Sequence, residues 1–308
     1  MAEHRQPKYV VISPVRDEGD YIANTIRSVV GQTIPPANWV IVDDGSRDAT
    51  GAIIDDVARR YPWVKSIHRA DRGRRVPGTG VMESFYDGYQ ALTVTDWDCI
   101  VKLDGDVGLP PDYFERCFQR MRADPRLGIC GGVMYRLVNG TEELEQHPLV
   151  HVRGPIKLYR RDCWNAIGGL IQAPGWDTVD ELQANRLGWR TRSFPDLAVI
   201  HYRATGAAAG AWRDSMKNGT ADYVSGYHPV FMAAKCVHRL LTRPYVVVGV
   251  GQAVGYVSGY LRRLPQVPDR ALISYVRQQQ MLRLFGRRSI WTRRPPEVQE
   301  MESPGRSV

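Results

Sequence analysis

Two acidic residues separated by one glycine, Asp104 and Asp106, follow a run of apolar residues in the sequence VKLDGDVGLPPDYF. Placing two carboxylates this close together costs repulsion and desolvation unless a cation shares them. Mg²⁺ and Mn²⁺ bind well to one or two carboxylates together with phosphate oxygens and water. The pattern therefore predicts a site for Mg²⁺ or Mn²⁺ beneath a diphosphate. A solvated turn before a helix is the alternative explanation.

A second acidic pair, Asp43 and Asp44, follows the apolar stretch WVIV in the same way. An acid at the end of a strand in a doubly wound sheet commonly binds a ribose hydroxyl or the edge of a base. The sequence DDGS is also simply a favourable turn. The chain contains neither GxGxxG nor GxxxxGK[ST], so neither a dinucleotide-binding fingerprint nor a P-loop is indicated.

The elements that must position these acids alternate between strands and helices. Apolar, β-branched runs predict strands over 8–13, 39–43, 63–68, 97–106 and 127–133. Helical spacing of apolar residues predicts helices between them. Short connections of this kind indicate βαβ units, and ligands then bind beyond the carboxyl ends of the strands. We therefore expect an α/β fold with a Rossmann-like, mainly parallel central sheet flanked by helices.

Four stretches resemble, in the same order, the family-2 glycosyltransferases of the GT-A fold. They are VISPVRDEGDYIANTIRSVVGQT, WVIVDDGSRDAT, KLDGDV and PGWDTVDELQANRLGWRT, and the resemblance covers about residues 8–203. It implies a GT-A catalytic domain over 1–205, with a nucleotide-sugar half over about 1–107 and an acceptor half over about 108–205. It also implies inverting, metal-dependent transfer of a hexosyl or deoxyhexosyl group from a UDP-, GDP- or dTDP-linked sugar.

The resemblance also implies which residues bind the donor. Those at the ends of the first and second strands and in the DGD motif are Ser13, Pro14, Asp17, Glu18, Asp43, Asp44, Asp104 and Asp106. In the family, the acid after the second strand contacts the nucleoside, and the DxD acids bind the metal beneath the diphosphate. The resemblance therefore implies Mn²⁺ or Mg²⁺ as the cofactor.

Basic and imidazole side chains are candidates for further contacts with the diphosphate. His201, in the strand AVIHYR, resembles a family position that can contact the metal or the diphosphate, and a purely structural histidine is the alternative. Arg203 can hold a diphosphate through a bidentate guanidinium. Arg72, Arg74 and Arg75 lie in a loop that can close over phosphates, although a solvated run of charge explains them equally well.

An inverting transfer needs one general base that takes the proton of the acceptor hydroxyl. The family places this base in an acidic pair that opens a helix, with a Gly about eleven residues later; Asp177 and Gly188 match that spacing. Asp180 is the second candidate and Glu181 the third. Trp176 stands where the family often has Glu, and one of these acids could instead cap the helix.

The C-terminal part of the chain differs from the rest in charge. Residues 235–308 contain 13 Lys and Arg against 4 Asp and Glu, a net charge of +9, whereas residues 1–234 carry −1. The uncharged segment 245–261 would be about 25 Å long as a helix, which is short for a bilayer crossing. Its flanking arginines favour a position in a membrane interface, and a Gly-rich helix packed on the domain is the alternative. We expect a helical, basic, membrane-associating extension over 206–292 and a disordered tail over 293–308.

Together these features predict transfer of a single sugar to a lipid-linked or saccharide acceptor in the synthesis of surface polysaccharide or glycolipid. The QxxRW signature of the family's processive synthases is absent from the sequence. The basic extension indicates an anionic membrane surface as partner and not nucleic acid, because little aromatic surface accompanies its charges. Five cysteines without a CxxC, and an N-terminus without an apolar segment, predict a cytoplasmic protein on the inner face of the membrane.

Two other functions fit parts of the pattern. A nucleotidyltransferase that makes nucleotide-sugars is also an α/β protein with metal-binding acids, but SPVRDEGD lacks the Gly-rich, basic signature that it needs. A non-catalytic nucleotide-sugar-binding protein would have the same fold, and Trp176 in the place of an acid favours it. Release of pyrophosphate from a reaction with sugar 1-phosphate would identify the first, and binding without turnover the second.

Overall fold

The strands form where the sequence is continuously apolar and β-branched, as expected for strands that are buried on both faces. The computed structural model describes residues 5–73, 78–138, 141–203, 210–241 and 245–292. Its strands are β1 (Tyr9–Val15), β2 (Asn38–Asp43), β3 (Val64–His68), β4 (Cys99–Leu103), β5 (Val107–Gly108), β6 (Leu127–Val138), β7 (Thr141–Leu144), β8 (Ile156–Arg160) and β9 (Arg190–His201). The five strands predicted from the apolar runs are confirmed within a few residues.

The helices follow the amphipathic segments between the strands and fill the C-terminal part of the chain. Those before β9 are α1 (Ile22–Val30), α2 (Thr50–Arg60), α3 (Thr79–Gln90), α4 (Tyr113–Ala123), α5 (Arg161–Ile167) and α6 (Trp176–Arg186). Those after β9 are α7 (Gly210–Val224), α8 (Pro229–Leu240), α9 (Val247–Leu261) and α10 (Arg270–Leu284). The predicted domain boundary after residue 205 and the membrane association of the helical extension stay predictions. Residues 293–308, which we expect to be a disordered tail, lie outside the described part of the chain.

The sheet has the strand order β3-β2-β1-β4-β8-β6-β9-β5, with β7 paired to β6. The pairs β1–β2, β2–β3 and β1–β4 are parallel, as the βαβ pattern predicts. Beyond β4 the sheet is mixed, because β8 lies antiparallel between β4 and β6 while β6 and β9 are parallel. The predicted α/β architecture is confirmed. Its parallel half is the half that carries the strand ends with acidic residues.

Helix α9 shows how the uncharged segment packs. Its glycines are buried: a Cβ at Gly255 would lie 2.0 Å from the carbonyl oxygen of Met216, and one at Gly249 would lie 2.7 Å from that of Cys236. Only glycine therefore allows α9 to approach α7 and α8 so closely. The side chains exposed along another face are Val250, Val254, Val257 and Leu261. In the described residues, no helix combines the length and the apolarity that a bilayer crossing needs.

Candidate active site

A cleft of about 1070 Å³ lies beyond the carboxyl ends of β1, β2 and β4 and extends toward α7, α8 and α10. It brings together most of the acids singled out in the sequence. The predicted site residues that line it are Pro14, Glu18, Asp44, Asp104, Asp106, Asp177, Glu181 and Arg203. The cleft therefore joins the end of β4 to the start of α6.

The DGD turn is fixed closely against the end of β1. A Cβ at Gly105 would lie 2.8 Å from a methyl carbon of Val15 and 3.2 Å from the Cγ of Glu18, so a larger residue would push the turn away. The hydroxyl of Thr25 in α1 donates to the carbonyl oxygen of Gly105 at 2.9 Å. The close packing of Gly105 and the hydrogen bond from Thr25 both hold Asp104 and Asp106 at the C-terminal end of β4.

Asp104 is paired with a lysine from its own strand. Lys102 is 2 % exposed, and its ammonium bonds the Asp104 carboxylate and donates to the carbonyl oxygen of Gly154 at 2.8 Å. Desolvation raises the pKa of Asp104; Lys102 opposes that effect and the neighbouring carboxylate of Asp106 adds to it. Lys102 therefore connects the DGD turn to the loop that contains Gly154.

Asp106 has a carboxylate oxygen that the protein leaves unsatisfied. Its Oδ1 is buried without a hydrogen bond, and the Nε2 of His201 lies 3.7 Å away from it. His201 also places its Nδ1 3.3 Å from a carboxylate oxygen of Glu145. Burial lowers the pKa of His201, but Asp106 and Glu145 outweigh burial and raise this pKa to about 9. The imidazole therefore lies behind Asp106 and does not line the cleft.

This oxygen of Asp106 fits a divalent cation, because a buried carboxylate oxygen without a hydrogen bond is a costly group that a cation satisfies. Within the described ranges, no group of three or more His, Cys, Asp or Glu side chains is arranged to hold a metal ion. A cation at this point would therefore depend on diphosphate oxygens and water for most of its ligands, as Mg²⁺ commonly does.

Arg203 joins the first strand end to the DGD turn. It donates to the Glu18 carboxylate at 2.6 Å and to the carbonyl oxygen of Asp17 at 2.7 Å. Its Nε is 3.9 Å from an Asp106 carboxylate oxygen. Arg203 thus lies at the rim of the cleft beside the proposed cation position, and Glu18 holds it there.

Asp44 and Asp43 have different surroundings although they are adjacent. The Asp44 carboxylate lines the cleft and is bound by Arg69 at 2.8 Å and by Arg72 at 2.6 Å. Asp43 accepts from the backbone of Ser46 at 2.8 Å and lies 3.2 Å from the Nδ1 of His68. Asp43 therefore shapes the turn after β2, and Asp44 faces the cleft.

Two more predicted donor residues, Ser13 and Asp17, do not line the cleft. The Ser13 hydroxyl is fully buried and accepts a hydrogen bond from the indole of Trp39 at 2.9 Å. Asp17 accepts from the backbone of Arg47 at 2.9 Å. These two side chains therefore make structural contacts at the end of β1. Arg75 falls outside the described residues.

Asp177 lies on the cleft at the start of α6, and Gly154 faces it. A Cβ at Gly154 would lie 3.1 Å from the Oδ2 of Asp177 and 3.5 Å from the ring of Trp176. Helix α6 has no side-chain cap, because its N-cap residue is Gly175 in the left-handed conformation. The Asp177 carboxylate is therefore not used for capping.

Asp180 and Glu181 are held in a buried network with Lys157. The Lys157 ammonium lies 2.9 and 3.0 Å from the two Asp180 oxygens and 2.8 Å from Glu181. Glu181 also accepts from the backbone of Val152 at 2.7 Å. Burial lowers the pKa of Lys157, but the surrounding carboxylates outweigh burial and raise it. The geometry therefore favours Asp177 over Asp180 as the base.

Trp176 is a core residue between two buried ammonium groups. The Nζ atoms of Lys102 and Lys157 lie 5.2 and 5.7 Å from its ring centroid. These are cation–π distances, and such contacts gain strength when the cation is desolvated. Sequence reasoning did not identify either lysine, because a single Lys within an apolar strand has no distinguishing pattern. The departure at Trp176 therefore has a packing explanation.

Comparison with known proteins confirms the predicted GT-A fold. The model of the family described as Glycosyl transferase family 2 matches residues 10–173. Glycosyltransferase GlyG of Streptococcus pneumoniae is 28% identical over 92 residues, which are 30% of this chain and 30% of that protein. The chain spans about a third of the length of the first curated relatives that it matches.

Two solved structures resemble the whole chain more extensively. The mannosyltransferase PcManGT from Pyrobaculum calidifontis, in complex with GDP-Man and Mn²⁺, has a TM-score of 0.54 at 15% identity, over 97% of this chain and 79% of that one. S. aureus TarS 1–349 in complex with UDP has a TM-score of 0.53 at 14% identity, over 83% and 72% of the two chains. At these identities the likeness shows the fold alone.

Proposed function

This chain belongs to glycosyltransferase family 2, and we propose that it transfers one sugar from a nucleotide-sugar to an acceptor hydroxyl with inversion at the anomeric carbon. The observation that carries the proposal is the placement of Asp104, Asp106 and Asp177 on one cleft. The acids at the end of β4 would serve the departing diphosphate, and the acid that opens α6 would serve the attacking hydroxyl. The nucleotide ligands of PcManGT and TarS support a nucleotide-linked donor.

At the donor end we assign Pro14, Glu18, Asp44 and Arg203 to the nucleotide and its diphosphate. Asp106, together with Asp104, would hold Mn²⁺ or Mg²⁺, and His201 is the candidate for a further contact behind Asp106. A cation bound there supplies positive charge to the departing diphosphate. The ion pair between Glu18 and Arg203 positions the guanidinium beside this charge before the donor binds, which saves reorganisation during the reaction.

At the acceptor end we assign Asp177 as the general base. It takes the proton of the acceptor hydroxyl while the hydroxyl oxygen attacks the anomeric carbon. The new carbon–oxygen bond forms on the face opposite the bond to the diphosphate, which breaks as the nucleoside diphosphate leaves. Positive charge at the donor end is most useful at this moment, when negative charge grows on the leaving group.

We further propose that the enzyme works on a lipid-linked acceptor at the anionic, cytoplasmic face of a membrane. The exposed apolar face of α9 and the net charge of +9 over residues 235–308 support this location. Near an anionic surface each basic residue contributes about 1 kcal/mol. Co-sedimentation with phosphatidylserine vesicles tests it: Val254→Asp should lose binding, and Ser274→Asp, at an exposed position on α10, should keep it. Equal binding by both variants would contradict it.

The experiment that tests the catalytic proposal begins with donor binding. Thermal unfolding is followed with UDP-, GDP- and dTDP-linked sugars in the presence of Mn²⁺ or Mg²⁺, because a ligand of the native state raises the midpoint by mass action. The nucleotide-sugar that raises the midpoint is then tested for release of nucleoside diphosphate with candidate acceptors. The absence of a shift with every donor would refute the proposal, and binding without turnover would indicate a non-catalytic protein.

A further inference from the structure

The cleft continues past Asp177 into the helices after β9, where its walls carry an excess of positive charge. The basic side chains on this part are Arg213, Lys217, Lys235, His238, Arg239 and Arg283. The acidic ones are Asp214 and Asp222. We call this part of the cleft the basic end. Its composition is the opposite of the acidic DGD turn at the other end.

The protein neutralises only some of the charge at the basic end. Lys235 donates to both carboxylate oxygens of Asp222 at 2.9 Å, so these two residues offset each other. Arg213, Lys217 and Arg239 form no ion pair with any residue that the structure describes. Their charges are therefore available to a ligand that enters the cleft.

Two further features of the basic end suit a saccharide. The Gln252 side chain is 2 % exposed and donates to Asp222 at 2.6 Å, while its Oε1 is buried without a hydrogen-bond partner among the described residues. A hydroxyl donor would satisfy that oxygen. Phe231 and Trp291 stack at 6.3 Å with an interplanar angle of 15°, which gives the wall an aromatic face. Sugars present both hydroxyl donors and apolar ring faces.

Helix α7 sets the spacing between the basic end and the proposed base. A Cβ at Gly175, two residues before Asp177, would lie 3.3 Å from the Cβ of Ala221. Lys217 and Arg213 precede Ala221 on α7 by about 6 and 12 Å along the helix axis. These cations therefore stand about the length of a short saccharide from Asp177.

We propose that the basic end binds an acceptor that carries a phosphate or diphosphate, with the reacting hydroxyl at Asp177 and the phosphate at Lys217, Arg213 and their neighbours. The inference rests on the proposed function and adds the chemical class of the acceptor. Arginine binds phosphate oxygens through two parallel hydrogen bonds, and lysine binds them as a point charge. A neutral acceptor would leave this positive charge without a partner.

The test uses glucose 6-phosphate as the probe and glucose as its uncharged match, with the donor end filled by a nucleoside diphosphate and Mn²⁺. In low salt, glucose 6-phosphate should raise the unfolding midpoint and glucose should not. The double variant Arg213→Gln/Lys217→Gln should weaken the apparent affinity by about tenfold for each cation removed. Arg262→Gln, an exposed position after α9 that does not line the cleft, should behave like the unaltered protein. Equal responses to the two sugars, or a double variant with unchanged affinity, would overturn the inference.

Vesicles then distinguish a lipid phosphate from a free one. The Val254→Asp variant is used here, because the apolar face of α9 would otherwise hold the protein on the vesicles. If glucose 6-phosphate displaces this variant from phosphatidic acid vesicles, a lipid phosphate occupies the basic end; if the variant binds glucose 6-phosphate but not the vesicles, the acceptor is water-soluble. Both results support a phosphate site. The two proposals fail in different measurements. The proposed function fails if no nucleotide-sugar raises the unfolding midpoint, whereas this inference fails if glucose 6-phosphate does not raise it.

Discussion

The ammonium of Lys157 donates to both carboxylate oxygens of Asp180, at 2.9 and 3.0 Å, and neither side chain is exposed to solvent. The hydroxyl of Tyr159 donates to the same carboxylate at 2.5 Å. Asp177, three residues earlier on α6, lies on the cleft instead. This pairing separates an acid that stabilises the fold from an acid that can meet a substrate, and the two should respond differently to the same substitution.

Replacing Asp177 with Asn should remove the proton acceptor and leave the fold unchanged. Loss of a general base costs on the order of 10²–10⁴-fold in rate, so kcat should fall by that factor while donor affinity stays near its original value. Steady-state kinetics and donor thermal shift measure the two effects. Full activity of a folded Asp177→Asn variant would show that another group is the base.

Asp180→Asn is the matched substitution and should act on stability. Removing one partner of a buried ion pair typically costs on the order of 3–5 kcal/mol, because the remaining charge stays buried. Because Glu181 still pairs with Lys157, we expect the free energy of urea unfolding to fall by less than this, by about 1–3 kcal/mol. If Asp180→Asn kept its stability and lost transfer activity, the roles of the two acids would be reversed.

Gly154→Ala should disturb the base without unfolding the protein. The added Cβ would lie 3.1 Å from the Oδ2 of Asp177, so the carboxylate must move. A displacement of about 1 Å can cost 10²-fold in rate, and we expect kcat to fall by roughly 10- to 100-fold. In an Asp177→Asn background the same substitution should have no further effect on the rate. A reduction of equal size in both backgrounds would mean that Gly154 acts through something other than Asp177.

The strand ends that carry Asp43 and Asp104 were predictable from the sequence because their signals are local. A buried strand followed by an acid reads the same way at Asp43 and at Asp104, and parallel strands bring their ends to one edge. That Asp44 and not Asp43 lines the cleft was not predictable, since it depends on distant partners. The first rank of Asp177 over Asp180 came from the family's spacing. The Asp43 carboxylate lies beside His68, and the Asp180 carboxylate is bound by Lys157 in the core. The antiparallel position of β8 likewise depends on pairing that no short pattern encodes.

Asp106→Asn should remove the dependence of nucleotide binding on a metal. In the unaltered protein, chelation of Mn²⁺ should lower the midpoint shift that a nucleoside diphosphate produces, since the cation and the diphosphate stabilise each other. The variant should show a small shift that chelation does not change. Asp112→Asn, at a half-buried acid beyond the DGD turn, is the control and should keep the metal effect. A metal-dependent shift in Asp106→Asn would place the cation elsewhere.

The contacts of His68, at the end of β3, predict that the stability of the protein depends on pH. Its Nε2 lies 2.9 Å from Asp55 and its Nδ1 lies 3.2 Å from Asp43. Hydrogen bonding to Asp55, with a further contribution from Asp43, outweighs burial and raises the pKa of His68 above its ordinary value of 6.5. A raised pKa means that the folded state holds the proton more tightly than the unfolded state. The stabilisation is therefore complete below the unfolded pKa and is lost as the pH rises through the folded pKa.

The variant His68→Gln measures this contribution. Its unfolding midpoint should lie furthest below that of the unaltered protein at about pH 5.5, where the acids are ionised and the imidazole is charged, and the gap should narrow by about pH 8.5. Asp55→Asn removes the larger of the two contacts that raise the pKa of His68. In that background, the difference in midpoint that His68→Gln causes at about pH 5.5 should therefore shrink. A gap that is constant with pH would show that His68 contributes through packing alone, and a gap that widens with pH would reverse the sign of the linkage.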